Sequence, residues 1–363
     1  MLPLPPTTSK SSFIARQITD GGGFQSAPRR PHSRVGRSEC FGFNRAFIPV
    51  SSGLMIVVEG LAKSYGGDIH ALQDVSFSVP LGSVCALLGP NGAGKTTAIN
   101  ILSTLQRPSS GKAFVAGFDV VASPDQVRRN IASTGQQSAL DWQLTGRENL
   151  VLFGRLRGMR RKEAQLRAEA LIHQFDMSNA ADRYAMTYSG GMVRRIDIAV
   201  ALMVPPKVLF LDEPTTGLDP RSRRGVWELI ASLSEHGVTT LLTTQYLEEA
   251  DILSNSIVVI NHGRVIASGT AEDLKRRIGS SYCTVSPVNR SDLSRVSTAL
   301  ADLRDAKVDQ ENNTVSVPAP DGVSTLIEVF RRVDQLGIEL ADISLRTPSL
   351  DEVFFHLTDN LTR

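Results

Sequence analysis

The octapeptide GPNGAGKT, Gly89–Thr96, constrains the chain more than any other stretch. It matches the pattern of a glycine, four residues, a second glycine, then Lys and Thr, which forms a phosphate-holding loop when it joins a strand to a helix. Both flanks fit. SVCALLG, Ser83–Gly89, is a short apolar run ending in glycine, as a buried strand would be. After the loop, TTAINILSTLQRP carries Ile99, Leu102 and Leu105 at helical spacing, and the pattern predicts a helix that stops before Pro108. Gly92 and Gly94 let successive N–H groups turn inward on an anion, and the helix N-terminus adds partial positive charge. The stretch from Gly89 through Pro90, Asn91, Gly92, Ala93, Gly94, Lys95, Thr96 and Thr97 is therefore predicted to hold a nucleotide, with Lys95 reaching the β- and γ-phosphates. One ammonium about 4 Å from one phosphate charge gains roughly 4 kcal/mol at an effective dielectric of about 20, before desolvation.

VLFLDEP, Val208–Pro214, is an apolar strand that ends in two carboxylates. Asp212 is predicted to hold Mg²⁺ opposite the Thr96 hydroxyl, and Glu213 to act on the attacking water. Read without the phosphate loop, they would be two solvated acids at a strand end.

The rest of the chain limits what surrounds these elements. Lys and Arg number 39 against 37 Asp and Glu, so the overall charge does not point to nucleic acid. Cys40, Cys85 and Cys283 are widely spaced and suggest neither a disulfide framework nor a zinc site, which fits a reducing compartment. No window reaches the roughly 18 to 20 apolar residues a spanning helix needs, so if the protein works at a membrane, another chain must supply the spanning helices. Residues 1–54 carry seven Lys or Arg against Asp20 and Glu39 and lack periodicity. Two readings stand: a disordered basic extension, or a natural start at Met55.

From Met55 strand-like and helix-like segments alternate, which predicts an α/β domain with a largely parallel sheet. Ser123 and Pro124 mark one helix start, Asp219 and Pro220 another, and NSIVVINHGRVIASG predicts a hairpin turning at Asn261, His262 and Gly263. In SGGMVRRIDIAVALMVPP, Ile196, Ala199, Val200 and Met203 share a helical face. Beyond residue 277 the pattern becomes a smaller α+β region, with YCTVSP and TVSVPA as strands and STLIEVFRRVDQLG as a helix.

Between the loop and the acidic strand lies YSGGMVRR, Tyr188–Arg195, a glycine pair entering a helix. GPNGAGKT, then YSGGMVRR, then FLDEPTTGLDP in this order resembles the nucleotide-binding subunits of ABC transporters, over about residues 55–277. The resemblance implies a P-loop NTPase (RecA-like) α/β core, an antiparallel β subdomain and an α-helical subdomain at about 137–200, with residues 278–363 as the separate small region. It also implies head-to-tail dimers, in which Ser189, Gly190 and Gly191 close over ATP held by the second copy or a related subunit. Met192 stands where the family more often has glutamine.

Matched position by position, Tyr65 in GLAKSYGG would stack on adenine, against a bland reading as a core tyrosine. Gln136 in STGQQSALD would ligate Mg²⁺ and sense a transmembrane partner, with Gln137 adjacent in register, and Asp219 would communicate across the dimer. TGQ, LTGRENL, YSGGMVRR, TTQYLEEAD and a terminal PSLDEVF together look like the daunorubicin-resistance type of drug-export ATPase. PSLDEVF is either an assembly tail or a closing amphipathic helix. Gln245 replaces the histidine common in the family. Its amide can donate to a phosphate oxygen and accept from water, a catalytic role without titration.

The expected function is that of an ATP-hydrolysing exporter subunit, peripheral on the cytoplasmic face of the membrane. It would drive a separately encoded transmembrane permease, met by the segment 137–187 with its basic stretch RLRGMRRKEAQLRAEALIHQF, unless that stretch is only a solvated helix face. Drugs or other hydrophobic compounds are the expected cargo. Alternatives are lipid or polysaccharide export, and a soluble ATPase working on ribosomes or DNA.

Overall fold

The structure is a computed structural model that describes residues 53–359, apart from Gly67, 278–280 and 304–305. The extension read into residues 1–54 lies outside the described residues, save for Gly53 and Leu54. Two long antiparallel strands come first, β1 (Leu54–Tyr65) and β2 (Ile69–Pro80), then β3 (Val84–Leu88), which delivers the glycine loop to α1 (Lys95–Leu102). β4 (Ser110–Val115) and β5 (Phe118–Asp119) return to β1 and complete an antiparallel sheet in the order β2-β1-β4-β5.

The chain continues through α2 (Pro124–Asn130), β6 (Ile131–Thr134), α3 (Gly146–Leu156), α4 (Arg161–Gln174), α5 (Gly190–Ala201) and β7 (Val208–Asp212). Next come α6 (Pro220–Glu235), β8 (Thr239–Thr244), α7 (Leu247–Leu253), β9 (Ser256–Asn261), β10 (Arg264–Gly269) and α8 (Ala271–Arg276). The central sheet runs β10-β9-β3-β8-β7-β6, parallel except for β10.

Strand alternation divides this sheet between two cores. Ala86, Leu88, Leu209, Leu211, Leu242, Ile257 and Val259 face a core shared with the helices α3 to α6. Cys85, Leu87, Val208, Phe210, Leu241, Val258 and Ile260 face the other, shared with α1 and the antiparallel sheet. Both faces are covered, which is why these strands read as unbroken apolar runs.

Several expected boundaries are observed. Asp219 accepts from the N–H groups of Arg221 and Ser222 at the start of α6, and Ser123 and Pro124 open α2, though the Ser123 side chain makes no cap bond. The β9–β10 hairpin pairs Asn261 with Arg264 around His262 and Gly263, both at positive φ (45° and 74°), as a type I′ turn requires. One expectation needs correction. α1 ends at Leu102, not just before Pro108: Thr104 takes a left-handed φ of 66°, the N–H groups of Leu105 and Gln106 turn back to Asn100 O, and Leu105 is exposed. Within the expected helical insert, the basic stretch from Arg155 is divided between α3 and α4, with Gly158 at φ 90° in the break.

The C-terminal part forms a second sheet from β11 (Tyr282–Pro287), β12 (Lys307–Asp309), β13 (Thr314–Pro318) and β14 (Leu340–Arg346), ordered β12-β13-β11-β14. Helices α9 (Leu293–Ala299) and α10 (Val323–Asp334) cover a core of its own that includes Cys283, Val285, Val315, Val317, Val329 and Val333. The last helix, α11 (Leu350–Asp359), leaves that core. Leu350 and Val353 of PSLDEVF are buried in the large core beside α7 and α8, as the closing-helix reading expects. No helix among the described residues is long and apolar enough to cross a membrane.

Candidate active site

β3, β8 and β7 lie side by side and parallel, with Leu88 opposite Thr244 and Thr243 opposite Asp212. The residues just past the three strand ends therefore gather at one edge of the sheet: the glycine loop, Gln245 and Glu213, in the position where open α/β sheets bind ligands. The Gly89 N–H donates to Thr244 O at 3.2 Å and pins the loop to β8. Gly94 begins α1 at φ 105°, and a Cβ there would lie 2.4 Å from Ala71 O, so no other residue fits. Among the described residues, the N–H groups of Gly92 and Gly94 donate to no protein acceptor, which leaves them for an anion. The buried Lys95 ammonium donates to Gly89 O (2.8 Å) and Pro90 O (3.1 Å) and lies 3.5 Å from the Glu213 carboxylate.

Asp212 is the hub at the end of β7. Its Oδ1 accepts from Thr243 Oγ1 at 2.6 Å and from Thr96 Oγ1 at 3.3 Å. Thr243 Oγ1 in turn accepts the Glu213 N–H at 2.9 Å. Glu213 itself has φ 46°, a left-handed conformation costing a non-glycine residue about 1–3 kcal/mol, and such strain concentrates at working sites. No group of three or more His, Cys, Asp or Glu among the described residues gathers to hold a metal. One carboxylate and one hydroxyl at 3.3 Å instead fit Mg²⁺, which keeps waters and takes phosphate oxygens as its other ligands.

α5 carries a second hub, on residues the motif reading did not single out. The Arg194 guanidinium donates to Pro214 O (2.9 Å), Gly135 O (3.0 Å) and Asp212 O (3.3 Å), and pairs with Asp197 at 3.2 Å. Asp197 also accepts from the Ala139 N–H at 3.2 Å and Ser138 Oγ at 3.5 Å. Both side chains are buried. Burial pushes the Asp197 carboxyl up and the Arg194 guanidinium down, each opposed by the other's charge.

A third buried group is Glu249 of α7, which accepts from Thr215 Oγ1 (2.8 Å) and Trp227 Nε1 (3.0 Å). Burial raises its pKa above the ordinary carboxylate range. It joins the helix after Gln245 to the turn after Glu213. Apart from the Arg194–Asp197 pair, Thr243, Arg194, Asp197 and Glu249 bond to partners 18 to 59 residues away in the chain. Their one sequence signal is a polar residue inside an otherwise apolar strand or helix.

The remaining expected residues are dispersed. Tyr65 is partly exposed, donates its hydroxyl to Gln106 and lies under the Lys63 ammonium at 5.1 Å, so it is not a core tyrosine. Gln136 and Gln137 are both exposed in the loop after β6, and Gln245 is half-buried. Ser189 caps α5 by accepting from the Met192 N–H, and a Cβ on Gly191 would meet Ser222 Oγ at 2.6 Å, so α5 starts tight against α6. Ser189 and Gly190 are exposed, and among the described residues no hydrogen bond or ion pair joins the Ser189–Gly191 turn to the Gly89–Thr96 loop. Asp219, whose pKa is lowered by hydrogen bonds from Ser222, is exposed as well.

The sequence profile of the ABC transporter family matches residues 72–216. The doxorubicin resistance ATP-binding protein DrrA of Mycobacterium tuberculosis is 54% identical over 314 residues, covering 85% of this chain and 95% of that protein. The chain belongs to the ATP-binding subunits of ABC transporters. This ABC subunit is also 34% identical, over 94% of its length, to the Nod factor export ATP-binding protein I of Sinorhizobium fredii, of which it covers 98%. Among solved structures it resembles a dimeric post-hydrolysis ATP-binding cassette bound to ADP and Pi, with a TM-score of 0.54 and 27% identity over 60% of this chain and 98% of that one. The ABC subunit is thus an ATPase with the P-loop NTPase fold, the ATP-hydrolysing part of an exporter. Subunits of its kind dimerise and work with a separate transmembrane permease.

Proposed function

We propose that two copies of this chain, or one copy and a related subunit, close head to tail on ATP and drive a membrane permease to expel a hydrophobic drug. The observation that carries this is the division of parts. The phosphate loop, Asp212 and Glu213 share one sheet edge, while the Ser189 turn is exposed with no bond to that loop, so a site containing both needs a second chain. In this reading residues 55–277 are the ATPase module, with its helical part at about 137–200, and 278–363 the smaller domain.

Lys95 and the N–H groups of Gly92 and Gly94 would bind the phosphates, with Tyr65 against adenine. Thr96 and Asp212 would hold Mg²⁺, with Gln136 completing the set, and bound Mg²⁺ supplies charge neutralisation on the β- and γ-phosphates. Glu213, 3.5 Å from Lys95, would take the proton of the attacking water, which Gln245 orients. The small residues at the start of α5 suit close approach to the other copy's γ-phosphate, and Asp219 would lie across the dimer. The cleft of about 500 Å³ between α3 and α4, lined by Arg147, Val151, Leu152 and Glu169, suits a cytoplasmic loop of the permease, with the subunit peripheral at the membrane.

The test is Glu213→Gln: ATP binding should persist, turnover should fall by about 10²-fold or more, and a stable ATP-bound dimer should elute on gel filtration. Unchanged hydrolysis removes Glu213 as base. The drug cargo rests on the name of the Mycobacterium tuberculosis relative, and a second reading, lipid or polysaccharide export, on the Nod factor relative. Anthracycline uptake by everted vesicles containing this subunit and its co-purifying permease, dependent on Lys95, supports the first. No uptake sinks it.

A further inference from the structure

We infer that Arg194 is a positioning residue that locks helix α5, which carries the Ser189–Gly191 turn, to this chain's own Glu213 and Gln136, so that closure at one ATP site is transmitted to the other. The inference rests on the head-to-tail reading above. Its basis is where the guanidinium donates. Asp212 O and Pro214 O are the carbonyls on either side of Glu213, and Gly135 O immediately precedes Gln136. Arg194 therefore grips both flanks of the left-handed Glu213 at the end of β7 and, with the same side chain, the start of the loop after β6 that carries Gln136.

Asp197, one helical turn further along α5, completes the grip by holding Arg194 and, through the Ala139 N–H and Ser138 Oγ, the far side of that loop. Stability alone is a weak reason to bury such a pair, because removing two charges from water costs about as much as their attraction returns. A planar fork with several donors is what this geometry uses, and lysine lacks it.

The Ser189 turn and Arg194 lie on one short rigid helix, about 7.5 Å apart along its axis at 1.5 Å per residue. In a head-to-tail dimer that turn touches the partner's ATP, while Arg194 holds the base of its own site. A shift of α5 on closure cannot leave Glu213 unmoved.

Arg194→Lys and Asp197→Asn test this, with ATP hydrolysis, ATP binding and melting measured on the full chain. Arg194→Lys is expected to bind ATP within about twofold of the original and keep its KM, to lose about tenfold in kcat, and to show a lower Hill coefficient for ATP than the original. Combined with Glu213→Gln it should still form the ATP-bound dimer. Asp197→Asn should show a smaller kcat loss, also at unchanged KM. Unchanged kcat and cooperativity in both variants overturns the inference. So does a parallel loss of binding, kcat and melting temperature, which would make the pair simple support for the fold. If Glu213→Gln alone fails to dimerise, the head-to-tail reading falls separately, and the split between KM and kcat still decides whether Arg194 holds Glu213.

Discussion

Thr243 gives the sharpest test of the site, because one buried oxygen serves both acidic residues. Its hydroxyl donates to Asp212 Oδ1 at 2.6 Å and accepts the Glu213 N–H at 2.9 Å. Thr243→Val keeps the shape, so no cavity forms and the loss is purely polar. A hydrogen bond to a charged group contributes about 1.5–3 kcal/mol, and a buried N–H left without an acceptor costs about 1–3 kcal/mol. Because both pass through one atom they do not simply add, and a loss of about 2–4 kcal/mol is expected. For a unit of this size that lowers the melting temperature by roughly 5–15 °C. Asp212 keeps only the longer bond from Thr96, and Glu213 loses the contact that holds its strained backbone. We expect kcat to fall about 10- to 100-fold, or about 1.4–2.7 kcal/mol. ATP affinity should change little, since the loop and Lys95 are untouched. Thr243→Ser, which restores the hydroxyl, should recover most of both losses. A coupled ATPase assay, fluorescent-nucleotide titration and a melting curve decide it. A Thr243→Val protein that melts and turns over like the original refutes the reasoning.

Gln245→Ala is expected to lose most turnover, whereas Gln245→His retains much of it and gains a pH dependence near the histidine pKa of about 6.5; a fully active alanine variant makes Gln245 a plain strand end. Glu249 carries a raised pKa because burial disfavours its charge, so the folded chain binds its proton more tightly than the unfolded chain does. Stability from this group is therefore greatest below the unfolded carboxylate pKa and declines as pH rises through the folded one. Glu249→Gln should gain relative to the original protein between acid and neutral pH, and a difference in urea midpoints that does not vary with pH counts against it. Val353→Asp puts a carboxylate into the large core at the α7–α8 contact. It should lower stability by about 3 kcal/mol or more and expose α11 to proteases, and undiminished protection would show that the helix is not held there.

The parts legible in advance are those whose chemistry is contiguous. SVCALLGPNGAGKT and VLFLDEP each contain strand, turn and functional group in one window, so periodicity and turn residues suffice to locate them. Arg194, Thr243 and Glu249 escaped because each acts on residues far along the chain, and a lone polar residue in an apolar run does not say which carbonyl or carboxylate it will meet. The end of α1 was misplaced because Leu105 kept the helical spacing while the backbone at Thr104 turned left-handed. β14 was overlooked for a similar reason. In LADISLR only Ile343 and Leu345 alternate with polar neighbours, a short signal at a sheet edge where even these two residues are only partly buried against the C-terminal core.

The return of α11 to α7 and α8 alters what the C-terminal domain is to the rest of the molecule. A domain joined only by a linker comes free when the linker is cut, but this one is attached again at its far end. A protease nick between α8 and β11 should thus leave two fragments that travel together, held by the clasp of Leu350 and Val353. Trimming the last turns of the chain does the opposite: it leaves every covalent link intact, yet uncovers apolar surface on α7, the helix that begins just after Gln245. In this subunit α11 and the helix that follows Gln245 share one packing surface.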